Sequence, residues 1–310
     1  MMKKNTGSTE HIDAIRQGTR IPPHLKGLFM TLLGAFCFSL IPIWVRSIEA
    51  YSSMSIAFFR AIFGMAFLFL WILRRSEGAG AIDFRRLTSK ELIVVGCMGL
   101  CMCITPVTYY LAIVKTSVAK AVLLHYTAPL HVAILSPFLL REKNTPLTWF
   151  AVGAGLLGTA LITEPAGLLK GDAEEVIGIV SALISGIGLA GIFLSGRFLA
   201  GRLPSQIRAL WGCVIVAILL FPFGIMVPEG YFWHNLPFLF LLGTVSLAIP
   251  YTLFFKGANY ITAQSSSVVS LFEPVCGIGI GFLFFGERLS SAGFAGAGIV
   301  LISIYIASRR

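Results

Sequence analysis

Ten apolar stretches, most close to twenty residues long and separated by short polar gaps, constrain this chain more than anything else in it. The hydrocarbon core of a bilayer is about 30 Å thick and an α-helix rises about 1.5 Å per residue, so roughly 20 apolar residues cross it. That ruler places spans at residues 27–46, 53–73, 92–114, 118–140, 146–163, 176–195, 207–227, 236–255, 264–285 and 291–307. Backbone polar groups find no water in lipid, so helices and not strands are expected at this run length. Composition agrees: 56% of the 310 residues are hydrophobic and 12% charged, with a mean hydropathy of +0.86. A soluble domain carries about twice that share of charge. The expected fold is an all-α integral membrane protein of about ten transmembrane helices.

The net charge of +10 raises nucleic-acid binding as an alternative. A nucleic-acid binder gathers its Lys and Arg on one water-exposed face. Here they punctuate the gaps between apolar runs, which suits flanks at a membrane surface, so no nucleic-acid partner is expected. One set of flanks holds Arg74, Arg75, Arg85, Arg86, Lys90, Arg141, Lys143, Arg197 and Arg202, while the other holds Arg46, Lys115, Lys120, Lys170 and Arg288. With Lys3, Lys4, Arg16 and Arg20 ahead of the first span, this bias puts both termini in the cytoplasm of a multi-pass protein of the cell (inner or plasma) membrane. Residues 1–25 read as a basic cytoplasmic tail without signal-peptide character.

All six cysteines (Cys37, Cys97, Cys101, Cys103, Cys213 and Cys276) lie inside apolar runs. No His stands at ligand spacing from them, so free thiols are expected, with no metal site and no cofactor.

The chain repeats itself. Pro129, Glu142, Gly153 and Leu156 recur as Pro274, Glu287, Gly298 and Leu301, all at an offset of 145. Pro106 and Thr108 recur as Pro250 and Thr252, one position closer, and Arg60 has a mate in Arg208. The halves, 26–165 and 166–310, hold five spans each. Five is odd, so the second half enters the membrane from the opposite face. This is an inverted-topology repeat, the design of many secondary transporters, whose substrate site lies at the repeat interface near mid-membrane.

With these features the chain resembles the drug/metabolite transporter superfamily, and within it the EamA-type family. The resemblance covers almost everything beyond the tail. It is carried by the small-residue run Leu33-Gly34-Ala35-Phe36-Cys37-Phe38-Ser39, by Arg60, and by two helix-end motifs. Those motifs run from Ala128-Pro129 to Arg141-Glu142 and from Glu273-Pro274 to Gly286-Glu287. The family has Gly before that glutamate, so Arg141 departs from it. The resemblance implies two inverted five-helix units, a cavity enclosed by the first four helices of each, alternating access, and export of amino acids or other metabolites.

An ionisable group inside a span costs roughly 2.5–3.5 kcal/mol at mid-bilayer, so it faces protein or water. Glu273 lies about ten residues into the ninth span, and Ser266, Ser270 and Glu273 share one helical face. At the repeat offset Ser270 corresponds to His125, which places His125 and Tyr126 across the pseudo-twofold axis as further substrate ligands. Each of these has a structural alternative, a hydrogen bond that ties helices together, and His131 reads as such a tie. Tyr109, Tyr110, Tyr251 and Trp44 are candidate lining residues or interface anchors. Arg60 is either a ligand for a substrate carboxylate or a structural donor. Pro106, Pro129, Pro250 and Pro274 remove backbone donors and are candidate kinks or hinges, with Thr108 and Thr252 placed to satisfy the freed carbonyls. Glu142 and Glu287 stand at helix ends as candidate gate or loop-tethering carboxylates.

The expected function is therefore a secondary transporter, an exporter of small polar metabolites such as amino acids, working by alternating access. A drug or nucleoside-like solute is the alternative cargo. A carboxyl at the depth of Glu273 could take up a proton, which would allow proton coupling. No G-x-x-x-x-G-K-[ST] loop is present to supply direct ATP drive. An enzyme would need a nucleophile with a base, or a metal-ligand set, and a channel would need a charge ring or filter loop; neither pattern is visible.

Overall fold

A computed structural model describes residues 22–74, 87–163, 173–228, 230–286 and 290–309. Glu287, most of the N-terminal tail, and Arg75, Arg85, Arg86, Lys170 and Arg288 lie outside them. Among the described residues there is no strand, and nine helices are long and apolar enough to cross a membrane. They are Pro23–Val45, Ser53–Arg74, Ser89–Lys115, Val118–Leu139, Pro146–Thr163, Ala173–Phe198, Phe232–Gly257, Ala263–Phe284 and Ser291–Ser308. The seventh span is shorter, Ser205–Leu219, continued beyond Leu220 by Phe221–Ile225. All ten expected stretches are thus helical, with ends within about one 3.6-residue turn of the positions read from the apolar runs.

Prolines set where the helices break. A proline lacks the N–H that an interior helical position donates, so it is accommodated at the first positions of a new helix. The fourth span is Val118–His125 and then Ala128–Leu139, with Pro129 opening the second piece. The ninth repeats this as Ala263–Ser270 and Phe272–Phe285, with Pro274 early in the second piece. The eighth passes through a π-turn, Thr244–Ala248, directly before Pro250. Pro106 differs, because it sits inside the uninterrupted helix Ser89–Lys115.

The helix pairing carries the inverted symmetry. Between the halves, the first span packs on the eighth and the third on the sixth. Likewise the second packs on the eighth and the seventh on the third, while the first meets the ninth and the sixth meets the fourth. The second and seventh, the fourth and ninth, and the fifth and tenth each pack on their own equivalents. These inter-repeat contacts come in mates under exchange of the halves, as a twofold axis in the membrane plane requires. At the fifth–tenth contact the backbones meet through Gly158 and Gly296, where a Cβ on Gly158 would stand 2.7 Å from the Gly296 carbonyl oxygen. Lipid offers no hydrophobic drive to bring helices together, so such close small-residue contacts supply the packing.

Two ion pairs tie the connection between the third and fourth spans to the start of the sixth. Lys115 pairs with Glu174, and Lys120, only 3% exposed, pairs with Glu175. Lys120 was expected as a solvated flank residue. Its place in the first turn of the fourth span instead turns it inward against the start of the sixth.

Candidate functional site

The halves enclose a cavity of about 230 Å³. It draws on the first, second, third and fourth spans and on the sixth, eighth and ninth. The lining follows the repeat: Phe38, Ile41 and Pro42 of the first span match Leu189, Ile192 and Phe193 of the sixth, all at an offset of 151. His125 matches Ser270, and Tyr110 matches Phe254.

His125, Tyr126, Ser266, Ser270, Glu273, Tyr109, Tyr251 and Arg60 all line this cavity, as do Pro106 and Pro274. Trp44 does not. It packs beside Ile56, Leu239 and Leu242 at the edge of the second and eighth spans. Pro129 and Pro250 also lie behind the wall, both buried. Residues not singled out from the sequence complete the lining: Thr105, and an aromatic group of Phe38, Phe193, Phe254 and Phe255. The offset of the first and sixth spans was the signal that could have found Phe193, but it becomes readable only once Phe38 and Pro42 are known to face inward.

Polar groups gather toward the middle of the cavity. The Tyr126 hydroxyl and the Arg60 guanidinium both lie within electrostatic reach of the Glu273 carboxylate. The His125 ring stacks at a tilt on Tyr109, with centroids 4.5 Å apart, and meets Tyr126 edge-on at 5.1 Å. His125 Nδ1 is 2.9 Å from Ser185 Oγ on the sixth span. Three buried polar atoms of lining residues have no partner among the described residues: Ser266 Oγ, Thr105 Oγ1 and Arg60 Nε. A buried polar group without a partner costs about 1–3 kcal/mol, so these three atoms weigh against the stability of this conformation.

Arg60 also has a structural duty. Pro250 cannot donate to the carbonyl four residues before it, that of Ser246, and Arg60 Nη2 supplies that hydrogen bond. Thr252, expected to satisfy a freed carbonyl, has no partner for its hydroxyl among the described residues, and Thr108 instead bonds the Ile104 carbonyl at 2.8 Å. The mate Arg208 is fully buried and structural throughout. It donates to the Gly196 carbonyl, to the Phe255 carbonyl at 2.6 Å and to Asn259 Oδ1 at 3.0 Å.

The cavity is closed at one end. There its lining residues Gly196, Ala258 and Ser266 are buried, whereas at the opposite end Pro42 is exposed and Tyr110 and Val122 are partly so. Beneath the closed end, Glu142 Oε1 accepts from Arg197 Nε at 2.7 Å and Oε2 accepts from the Ala263 backbone N–H at 3.0 Å. Arg197 Nη1 donates in turn to the Ala258 carbonyl at 2.7 Å. Gln264 extends the tie to Ser136 and, at 3.1 Å, to Asn144. The loop after the fourth span is thereby fastened to the end of the sixth and to the turn between the eighth and ninth.

The chain matches the EamA-like transporter family twice, over residues 25–164 and 176–309. It belongs to that family. The double match falls on the two halves that the contacts relate, in keeping with the drug/metabolite transporter superfamily. This EamA-like chain is 27% identical over 278 residues to a protein of Archaeoglobus fulgidus described as an uncharacterized transporter, covering 90% of this chain and 94% of that one. Human solute carrier family 35 member G1 is 27% identical over 168 residues, 53% of this chain and 44% of the human protein. A solved crystal structure superposes with a TM-score of 0.76 at 19% identity, covering 91% of this chain and 96% of that one, and so shares its fold.

Proposed function

We propose that this membrane transporter is a secondary carrier that exports small polar metabolites, amino acids first among them, by alternating access at the central cavity. The observation that carries this reading is that a carboxylate, Glu273, and a guanidinium, Arg60, face the same small cavity between the halves. Opposite charges lining one cavity suit a solute that carries both signs. The volume of about 230 Å³ lies below the roughly 300–1,000 Å³ of drug-sized sites, which favours a metabolite of amino-acid size. Glu273 is the group that would take up a proton in exchange for the solute. The basic flanks support an orientation in which both termini and the closed, Glu142 end face the cytoplasm of the cell membrane. The aromatic lining from Phe38, Phe193, Phe254 and Phe255 favours a second reading, a nucleoside-like or other flat solute.

Counterflow in proteoliposomes tests the reading. Vesicles preloaded with an unlabelled amino acid should accumulate its labelled form transiently and saturably, faster under an imposed pH gradient. Linear, non-saturable flux would contradict it, and accumulation of nucleosides alone would select the second reading.

A further inference from the structure

We infer that His125 presents a fixed, uncharged hydrogen-bond acceptor to the cavity, and that with Glu273 it selects solutes whose cationic head carries N–H donors. This rests on the reading of the cavity as a solute site and specifies the head group it takes.

The inference follows from counting protons. Ser185 Oγ has one, and we assign it to the Ala182 carbonyl, the nearer of its two partners at 2.7 Å within the sixth span. The same oxygen lies 2.9 Å from His125 Nδ1. With that assignment Ser185 accepts at the second contact, and Nδ1 carries the hydrogen. A neutral imidazole holds one N–H, which leaves Nε2 as a bare lone pair. Nδ1 points to the sixth span, so Nε2 is on the ring edge away from it, and His125 lines the cavity. No other hydrogen bond to this ring is found among the described residues. The ring is held in place by the Tyr109 face at 4.5 Å and the Tyr126 edge at 5.1 Å. Tyr126 lies in turn beside Glu273, so a neutral acceptor and a carboxylate line one cavity.

Two acceptors of this kind distinguish charge from hydrogen bonding. A carboxylate alone attracts any cation, a quaternary ammonium included. A histidine lone pair beside it rewards only a head group that can donate. A permethylated head would leave Nε2 facing methyl groups with its desolvation uncompensated. The Arg60 guanidinium lining the same cavity suits the carboxylate of an amphoteric solute, so donor content is best varied at constant charge.

The test is binding of L-leucine, L-methionine and L-phenylalanine to the purified full chain, each measured beside its N,N,N-trimethyl betaine. Every pair has the same formal charges and differs in N–H donors. At least one amino acid should bind, with its betaine about tenfold weaker or worse. His125→Phe should erase most of that preference. His125→Gln, which can place an amide oxygen near the Nε2 position, should restore it. Both variants are compared only as monodisperse protein, and the wild-type pairs need no variant. Betaines that bind as well as their parents would overturn the inference while leaving the cavity a solute site. Failure of every amino acid to bind would overturn it together with the proposed cargo class.

Discussion

Glu142 and Arg197 join the two halves of the transporter across the closed end of the cavity, carboxylate to guanidinium at 2.7 Å. The pair is part-buried and shares its remaining valences with backbone groups of Ala263 and Ala258. Removing the carboxylate leaves Arg197 Nε and the Ala263 N–H without their acceptor, at about 1–3 kcal/mol each. That loss falls on the closed state alone. Glu142→Ala should therefore shift occupancy toward the form open at this end, about tenfold or more, read as faster thiol labelling of a cysteine placed at Ala258. Unchanged labelling would remove the gate role and leave Glu142 a loop tether.

The residue before this glutamate carries a cost. Arg141 has φ 58° and its repeat mate Gly286 has φ 65°, so both stand in the left-handed region. For a residue with a Cβ that conformation costs roughly 1–2 kcal/mol, while a glycine gives back about 0.5–1 kcal/mol through its freer unfolded chain. Arg141→Gly should raise stability by about 0.5–1 kcal/mol, seen as a higher melting temperature in detergent. A lower melting temperature would mean that the exposed Arg141 side chain makes a contact worth more than the strain.

The two repeat-related arginines should respond differently to the same substitution. Arg208 feeds three acceptors in a site with no exposure. A lysine ammonium cannot span the planar fork that reaches them. Arg208→Lys should sharply lower folded yield. Arg60→Lys can keep one donor on the Ser246 carbonyl, so it should fold and chiefly weaken apparent affinity for solutes with a carboxylate. Equal folded yields for the two variants would contradict the division of labour between them.

Glu273→Gln keeps the size of the side chain but removes the charge and the titratable proton. Transport of an amphoteric solute should fall at least tenfold, and its response to a pH gradient should vanish. A rate that still follows the pH gradient would place proton coupling elsewhere.

Much of this architecture was legible in the chain because lipid imposes a simple rule. Length and apolarity alone mark a span, and the recurrence of Pro129 and Glu142 as Pro274 and Glu287 exposed the duplication. Glu273, His125 and Ser270 stood out because polar groups are scarce in such surroundings. The aromatic wall did not, since Phe193 and Phe254 look the same whether they face lipid or a cavity. Trp44 could not be decided for the same reason, an aromatic near a span end that packs against the cluster of Ile56, Leu239 and Leu242. Lys120 could not be placed from charge alone, because its burial depends on Glu175, more than fifty residues away. Nor could the duty of Arg60 be read from the chain, because the carbonyl it serves is freed by Pro250 in a different half of the molecule.

A single cysteine at Ser270, in a background freed of the six native thiols, measures alternating access most directly. Impermeant thiol reagents applied to sealed vesicles of known orientation should reach it from either face. Cross-linking cysteines placed at Glu142 and Arg197 should abolish access from that face and leave the other intact. Access from both faces that survives the cross-link, or none from either, would contradict a cavity opened by turns between two inverted halves.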